Sequence, residues 1–176
     1  MALNLLNLDD RTREMMLLEL DHDEDRGALY LSERLSDAGR ARYPMMLRDA
    51  IQDGDDGTLA AALGESGVLS EYEMSHRKGK PYRKRVRRDA NELLAEGEYN
   101  RFYLRGLSRR ATEDGIEALT VYRAKAVAMP RPESEAKIGS SIDARRLLED
   151  LRARIGMDTL LGLPPGAGSG LSAHLP

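Results

Sequence analysis

Three groups of residues in this chain have types and spacings that could do chemistry, and each implies a different one. Glu135-Ala-Lys137 is an E-x-K triplet. In metal-dependent nucleases such a triplet sets a metal-binding carboxylate beside a lysine, and a second carboxylate on a neighbouring strand end completes the site. Asp114 or Glu117 could supply that carboxylate. Both members of the triplet must ride on a strand, but this one follows the extended linker Met129-Pro-Arg-Pro132 and precedes Gly139. A nuclease using Glu135 and Lys137 is therefore the last of three functional expectations.

Asp21 to Asp25 holds four acids and His22, a composition that invites a cation. An EF-hand loop needs Gly at its sixth position and Glu at its twelfth. Counted from Asp21 these are Arg26 and Ser32, so a solvated, acidic helix end is expected instead. His22, His76 and His174 lie in separate segments, and there is no Cys, so no metal site is expected. The run from Gly166 to Gly170 lacks the G-K-[ST] ending of a phosphate loop, and no G-x-S-x-G elbow occurs. No cofactor, catalytic residue or small-molecule substrate is expected.

The third group is the most unusual. Residues 77–88 carry eight Lys or Arg and no acid: Arg77, Lys78, Lys80, Arg83, Lys84, Arg85, Arg87 and Arg88, with Tyr82 among them. Clustered cations of this kind neutralise phosphates, and a tyrosine can stack on a base. They serve equally to dock on an acidic protein surface, or to keep a mobile loop in water. Arg101, Arg105 and Arg109, spaced i, i+4, could extend the basic track along a helix, although such a ladder is commonly a solvated face. Charge is divided unevenly along the chain. Residues 1–73 hold 17 acidic and 7 basic side chains, a net of −10, and residues 74–176 hold 13 and 20, a net of +7. That division suggests a polyanionic partner, or head-to-tail contact between copies, or neutralisation within one fold.

The elements that must carry these residues follow from periodicity. A long helix is predicted over 89–113, capped by Asp89 with Glu92 three residues on and stopped at Asp114-Gly115. Leu93, Leu104, Leu107 and Ala111 fall on one side of it, with Ala95, Tyr99, Phe102, Tyr103 and Gly106 beside them. Gly97 weakens this helix by about 1 kcal/mol relative to Ala, and marks a kink or a close backbone approach. Before it, helices are predicted from Asp9-Asp10 to about Asp21, from Tyr43-Pro44 onward after a break near Gly39, and over Thr58 to Leu63. Residues 68–88 alternate on either side of Arg77-Lys-Gly-Lys-Pro81, as a β-hairpin does. Ile116 to Val127 is the clearest single strand, a candidate to pair with that hairpin. A last helix runs from Asp143 to about Ile155, capped by Ser141, with Leu147, Leu148 and Leu151 inward and Arg145, Arg146, Arg152 and Arg154 outward.

The expected fold is α+β, mainly α: several helices around one long central helix, with a small antiparallel sheet or hairpin. Its parts are an acidic helical subdomain (1–67), a basic hairpin or arm (68–88), the long helix, strand and C-terminal helix (89–160), and an extended Pro/Gly-rich tail (161–176). The expected function is non-enzymatic: a subunit of an oligomeric particle or complex, such as a viral connector. Its partner would be a second copy or another protein, met through the basic arm and through Leu171 and Leu175 of the tail. The alternative is a nucleic-acid-binding accessory protein using residues 77–88. A start without a basic, apolar leader and the lack of eighteen consecutive apolar residues make a cytoplasmic, non-membrane setting the expectation.

Overall fold

The structure, a computed structural model, describes residues 3–156, 159, 162–163 and 169–176. Asp9 starts the first helix, α1 (Asp10–Asp25), its carboxylate accepting from the Thr12 N–H at 3.0 Å. Ser36 caps α2 (Asp37–Asp53) by accepting from the Gly39 N–H at 2.9 Å. Asp55 and Thr58 form a reciprocal capping box at the start of α3 (Asp56–Leu63), which Gly64 ends. The predicted break at Gly39 is absent, and Pro44 lies inside α2 instead of opening it. Burial of Tyr43, Met46, Leu47, Ala50 and Ile51 along α2 outweighs the single backbone hydrogen bond that Pro44 forgoes. Gly39 has a different task. Any Cβ there would overlap the Val68 carbonyl, the same group that accepts from the Ser36 N–H at 3.0 Å.

After α3 the chain forms a hairpin, β1 (Tyr72–Arg77) and β2 (Lys80–Arg85), and then the long helix α4 (Ala90–Glu113). The rest is β3 (Ala118–Arg123), the short helix α5 (Pro132–Glu135), β4 (Ser141–Asp143), α6 (Ala144–Ala153) and β5 (Leu171–His174). The three later strands form an antiparallel sheet in the order β4-β3-β5, with Leu119 opposite Ile142 and Val121 opposite Ala173. The hairpin is a separate two-stranded sheet, so the expected pairing with β3 does not occur. The fold is α+β and mainly helical, as expected. No helix among the described residues is long and apolar enough to cross a membrane.

The core is organised by α4, which packs on α1, α3 and α6 and under the three-stranded sheet. Tyr99, Tyr103, Leu104, Leu107 and Ala111 are fully buried, and Phe102 nearly so. The closest helix approach is at Gly106, where a Cβ would lie 2.6 Å from Met16 Cγ and 2.8 Å from the Met16 backbone nitrogen. Gly97, by contrast, faces open space, and α4 runs through it unbroken. Asp89 precedes α4 but makes no cap hydrogen bond. Its carboxylate is taken by Arg87 through Nε at 2.9 Å and Nη2 at 2.6 Å, a bidentate pair that competes with capping.

The first and the last described segments lie on this body. The Leu3 N–H donates to Asp56 at 3.0 Å and the Asn7 N–H to Tyr103 Oη at 3.2 Å. The described end of the tail, 169–176, is not an outward arm: Leu171 is buried in β5 and Leu175 is partly buried against the core. Asn100 Nδ2 donates to the Leu171 carbonyl at 2.8 Å and Tyr103 Oη to that of Ala173 at 3.2 Å, while the Leu175 N–H donates to Asn7 Oδ1 at 2.9 Å. These contacts overturn the expectation that Leu171 and Leu175 reach a partner. The Pro/Gly-rich stretch 164–168 lies outside the described residues.

Candidate interaction surface

The hairpin turns through two residues, Lys78 and Gly79, with φ of +52° and +76°. Two successive left-handed residues match the right-handed twist of the strands they join. The register pairs Tyr72 with Arg85, Met74 with Arg83, Ser75 with Tyr82 and Arg77 with Lys80. Side chains therefore sort onto two faces. One carries Tyr72, Met74 and His76 with Pro81, Arg83 and Arg85, and the other carries Glu73, Ser75 and Arg77 with Lys80, Tyr82 and Lys84.

Only the base of the ribbon is tied down. The Ser70 N–H donates to the Arg34 carbonyl at 2.8 Å, and a bridge joins Leu35 to Leu69. Arg34 Nε donates to Glu73 at 2.7 Å, and Lys84 Nζ lies 3.2 Å from the same carboxylate. The Arg34 hydrogen bond, helped by Lys84, holds Glu73 below the usual carboxylate range. Glu73 is the one acid of residues 72–88, so the ribbon's negative charge is already matched at its root. Beyond that point both faces are open: Met74 is 62% and Tyr82 42% exposed. Arg83 stacks on the Tyr72 ring, its Cζ 3.9 Å from the centroid. Among the described residues, Arg77, Lys78, Lys80, Arg83, Arg85 and Arg88 make no ion pair.

The helical arginines expected to prolong this track point elsewhere. Arg105 is completely buried. It donates to both oxygens of Asp23, at 2.6 and 2.8 Å, and twice to Glu19 Oε2, at 3.2 and 3.0 Å. Its guanidinium also lies 5.0 Å from the Phe102 ring. Glu19 further accepts from Arg152 at 2.5 and 2.8 Å and from Arg109 at 3.3 Å. Burial alone would push Glu19 up, but the Arg152 hydrogen bond and the Arg105 charge bring it below the usual range. Asp23 thus belongs to the interior, not to a solvated helix end. Arg101 is also buried, and it donates to the carbonyls of Leu151 and Arg154 at 3.4 and 2.8 Å, a cation at the negative end of α6. Arg109 is partly exposed but held between Glu19 and Glu113. Arg101, Arg105 and Arg109 are therefore structural and do not prolong the basic track of the ribbon.

Next to this network sits Glu98, buried, with Oε2 lacking a hydrogen-bond partner among the described residues and Oε1 3.9 Å from Arg101 Nε. Desolvation, only partly offset by Arg101 and Arg105, pushes its carboxyl up to about 7. The buried Tyr43 hydroxyl is likewise unpartnered, and burial raises it well above the ordinary phenol range.

The E-x-K constellation is not assembled. Glu135 ends the four-residue α5 and pairs with Arg123, and Lys137 Nζ donates to the Gly162 carbonyl at 3.0 Å. Asp114 pairs with Arg11, and Glu117 lines a shallow depression with Asp143 and Arg145. Among the described residues no three His, Asp or Glu side chains group to hold a metal ion. Comparison with protein-family models, with curated proteins and with solved structures finds no match.

Proposed function

We propose that this protein is a non-enzymatic, cytoplasmic interaction component that grips a nucleic acid with its basic β-ribbon. One observation carries the proposal: among the described residues, five cations of the ribbon, and Arg88 just after it, make no ion pair, while the ribbon's single acid is already neutralised at its base. Phosphate contacts need clustered, accessible cations, and a two-stranded ribbon is narrow enough for a nucleic-acid groove. The acids that might have drawn the ribbon onto a second copy are in part engaged at home. Asp21 and Glu24 hold Arg48 at 2.7 and 2.5 Å, Asp23 and Glu19 hold Arg105, and Asp9 holds Arg110 at 2.8 Å.

A second reading, a subunit of an oligomeric assembly docking the ribbon on an acidic face of a neighbouring protein, is favoured by Met74, which is exposed beside the Tyr72–Arg83 stack. Mass by light scattering, with and without a labelled oligonucleotide, separates the two. A monomer that gains one oligonucleotide, with affinity falling steeply as salt rises, supports the nucleic-acid reading. A stable oligomer indifferent to nucleic acid supports the other.

A further inference from the structure

We infer that the ribbon takes unpaired nucleotides in preference to closed duplex, with Tyr82 as the platform on which a base stacks; this rests on the ribbon being the nucleic-acid arm. The chain has seven tyrosines and one phenylalanine, and Tyr82 is the only one of these rings that is exposed. Tyr43, Tyr99, Tyr103 and Phe102 are in the core, and Tyr30, Tyr72 and Tyr122 are half-buried. A fold so short of aromatic side chains leaves one ring open in the middle of its most basic segment.

The surroundings of Tyr82 suit stacking. Directly across the ribbon stands Ser75, too small to cover the ring. Lys80 and Lys84 lie two residues to either side on the same face, each about 6.7 Å away along the strand. Arg77 faces Lys80 from the other strand. Lys80 and Arg77 thus stand beside the ring without an ion pair, able to hold the phosphate of a stacked base, while Lys84 on the other side shares its charge with Glu73. Tyr72, on the opposite face, shows the contrast, because Arg83 already covers it at 3.9 Å.

A duplex could use these cations but not the ring, since its bases are stacked on one another and opening them costs free energy. A single strand presents base faces freely, and an aromatic platform adds affinity with little regard to sequence. The two partners therefore predict different roles for one side chain.

The test measures fluorescence anisotropy with a labelled oligo-dT and with the same strand annealed to its complement, at one salt concentration. The single strand is expected to bind at least about tenfold more tightly. Tyr82→Ala should lose about tenfold on the single strand and less than twofold on the duplex, and Tyr82→Phe should keep the preference. Because Tyr82 contributes nothing to the core, circular dichroism of both variants should match the parent. Equal affinity for the two forms, or equal weakening of both by Tyr82→Ala, overturns the inference while leaving the nucleic-acid arm in place. Absence of binding to either form overturns the arm itself and points to an acidic protein surface.

Discussion

Arg105 on α4 and Arg83 on β2 carry the same guanidinium into opposite surroundings. Arg105 has no exposed surface and directs its donors at Glu19 and Asp23, whereas Arg83 lies over a half-buried tyrosine and makes no ion pair among the described residues. The difference lies in what faces each residue. Glu19 and Asp23 stand i, i+4 on α1, and the close approach at Gly106 brings that helix against α4. The strands of the ribbon pack chiefly on each other, so apart from Lys84 its cations find no carboxylate partner among the described residues. Cationic side chains in one region thus join helices, and those in the other remain available to a partner. The charge imbalance along the sequence is resolved in the same way: part is neutralised inside the fold, and part remains on the ribbon.

The largest effect expected from breaking that contrast is on the buried side. Arg105→Ala leaves two interior carboxylates without their cation and should cost about 3–5 kcal/mol, read as a lower denaturation midpoint. A loss below about 1 kcal/mol would mean that water reaches Glu19 and Asp23.

Next comes pH. Folded Glu98 titrates at about 7, against an ordinary 4.5, so between those values the folded state holds a proton that the unfolded state has released. Stability from this group is therefore full below about pH 4.5 and is lost as pH rises through 7, by about 3 kcal/mol at most. Asp56, raised mainly by burial, acts with the same sign, while Glu19 and Asp9, lowered by their arginines, act oppositely on acidification. Glu98→Gln should flatten the fall between pH 5 and 7 in chemical denaturation. An unchanged profile would place the titrating group elsewhere.

Gly106→Ala comes third, at about 1–3 kcal/mol, because its methyl group meets the Met16 backbone and forces α1 away. Combined with Arg105→Ala it should cost less than the sum, since both changes weaken the same α1–α4 contact.

The smallest effect on stability is expected from the ribbon. Lys80→Glu and Arg83→Glu should each stay within about 0.5 kcal/mol of the parent, yet weaken oligonucleotide binding at least about tenfold. A ribbon charge reversal that unfolds the protein would show that the arm packs on the body.

Much of this was legible in the sequence where a single element carries the signal. The long helix, the turn of the hairpin, and the inward Leu147, Leu148 and Leu151 all follow from local periodicity. What escaped depends on partners distant along the chain. The Arg101-Arg105-Arg109 ladder resembles a solvated face until Glu19 and Asp23, more than 80 residues away, are placed opposite Arg105. β4 and β5 have three and four residues, too few for a period to declare itself. Pro44 and Gly39 look like helix breakers because their cost is local, while the burial that outweighs it is tertiary. The ribbon stands out through its composition and its two-residue alternation, and its separation from the three-stranded sheet is seen only once the rest of the fold is in place.

The ribbon's cations, and not the exposed ones of the body such as Arg146, are proposed to grip the nucleic acid. The most direct measurement is the slope of log affinity against log salt for an oligonucleotide, in the parent protein and in single Lys or Arg to Gln variants. Lys78→Gln, Lys80→Gln and Arg83→Gln should each reduce the slope by about 0.7, and Arg146→Gln on the exposed face of α6 should leave it unchanged. A slope insensitive to all three ribbon changes, or reduced as much by Arg146→Gln, would contradict the account.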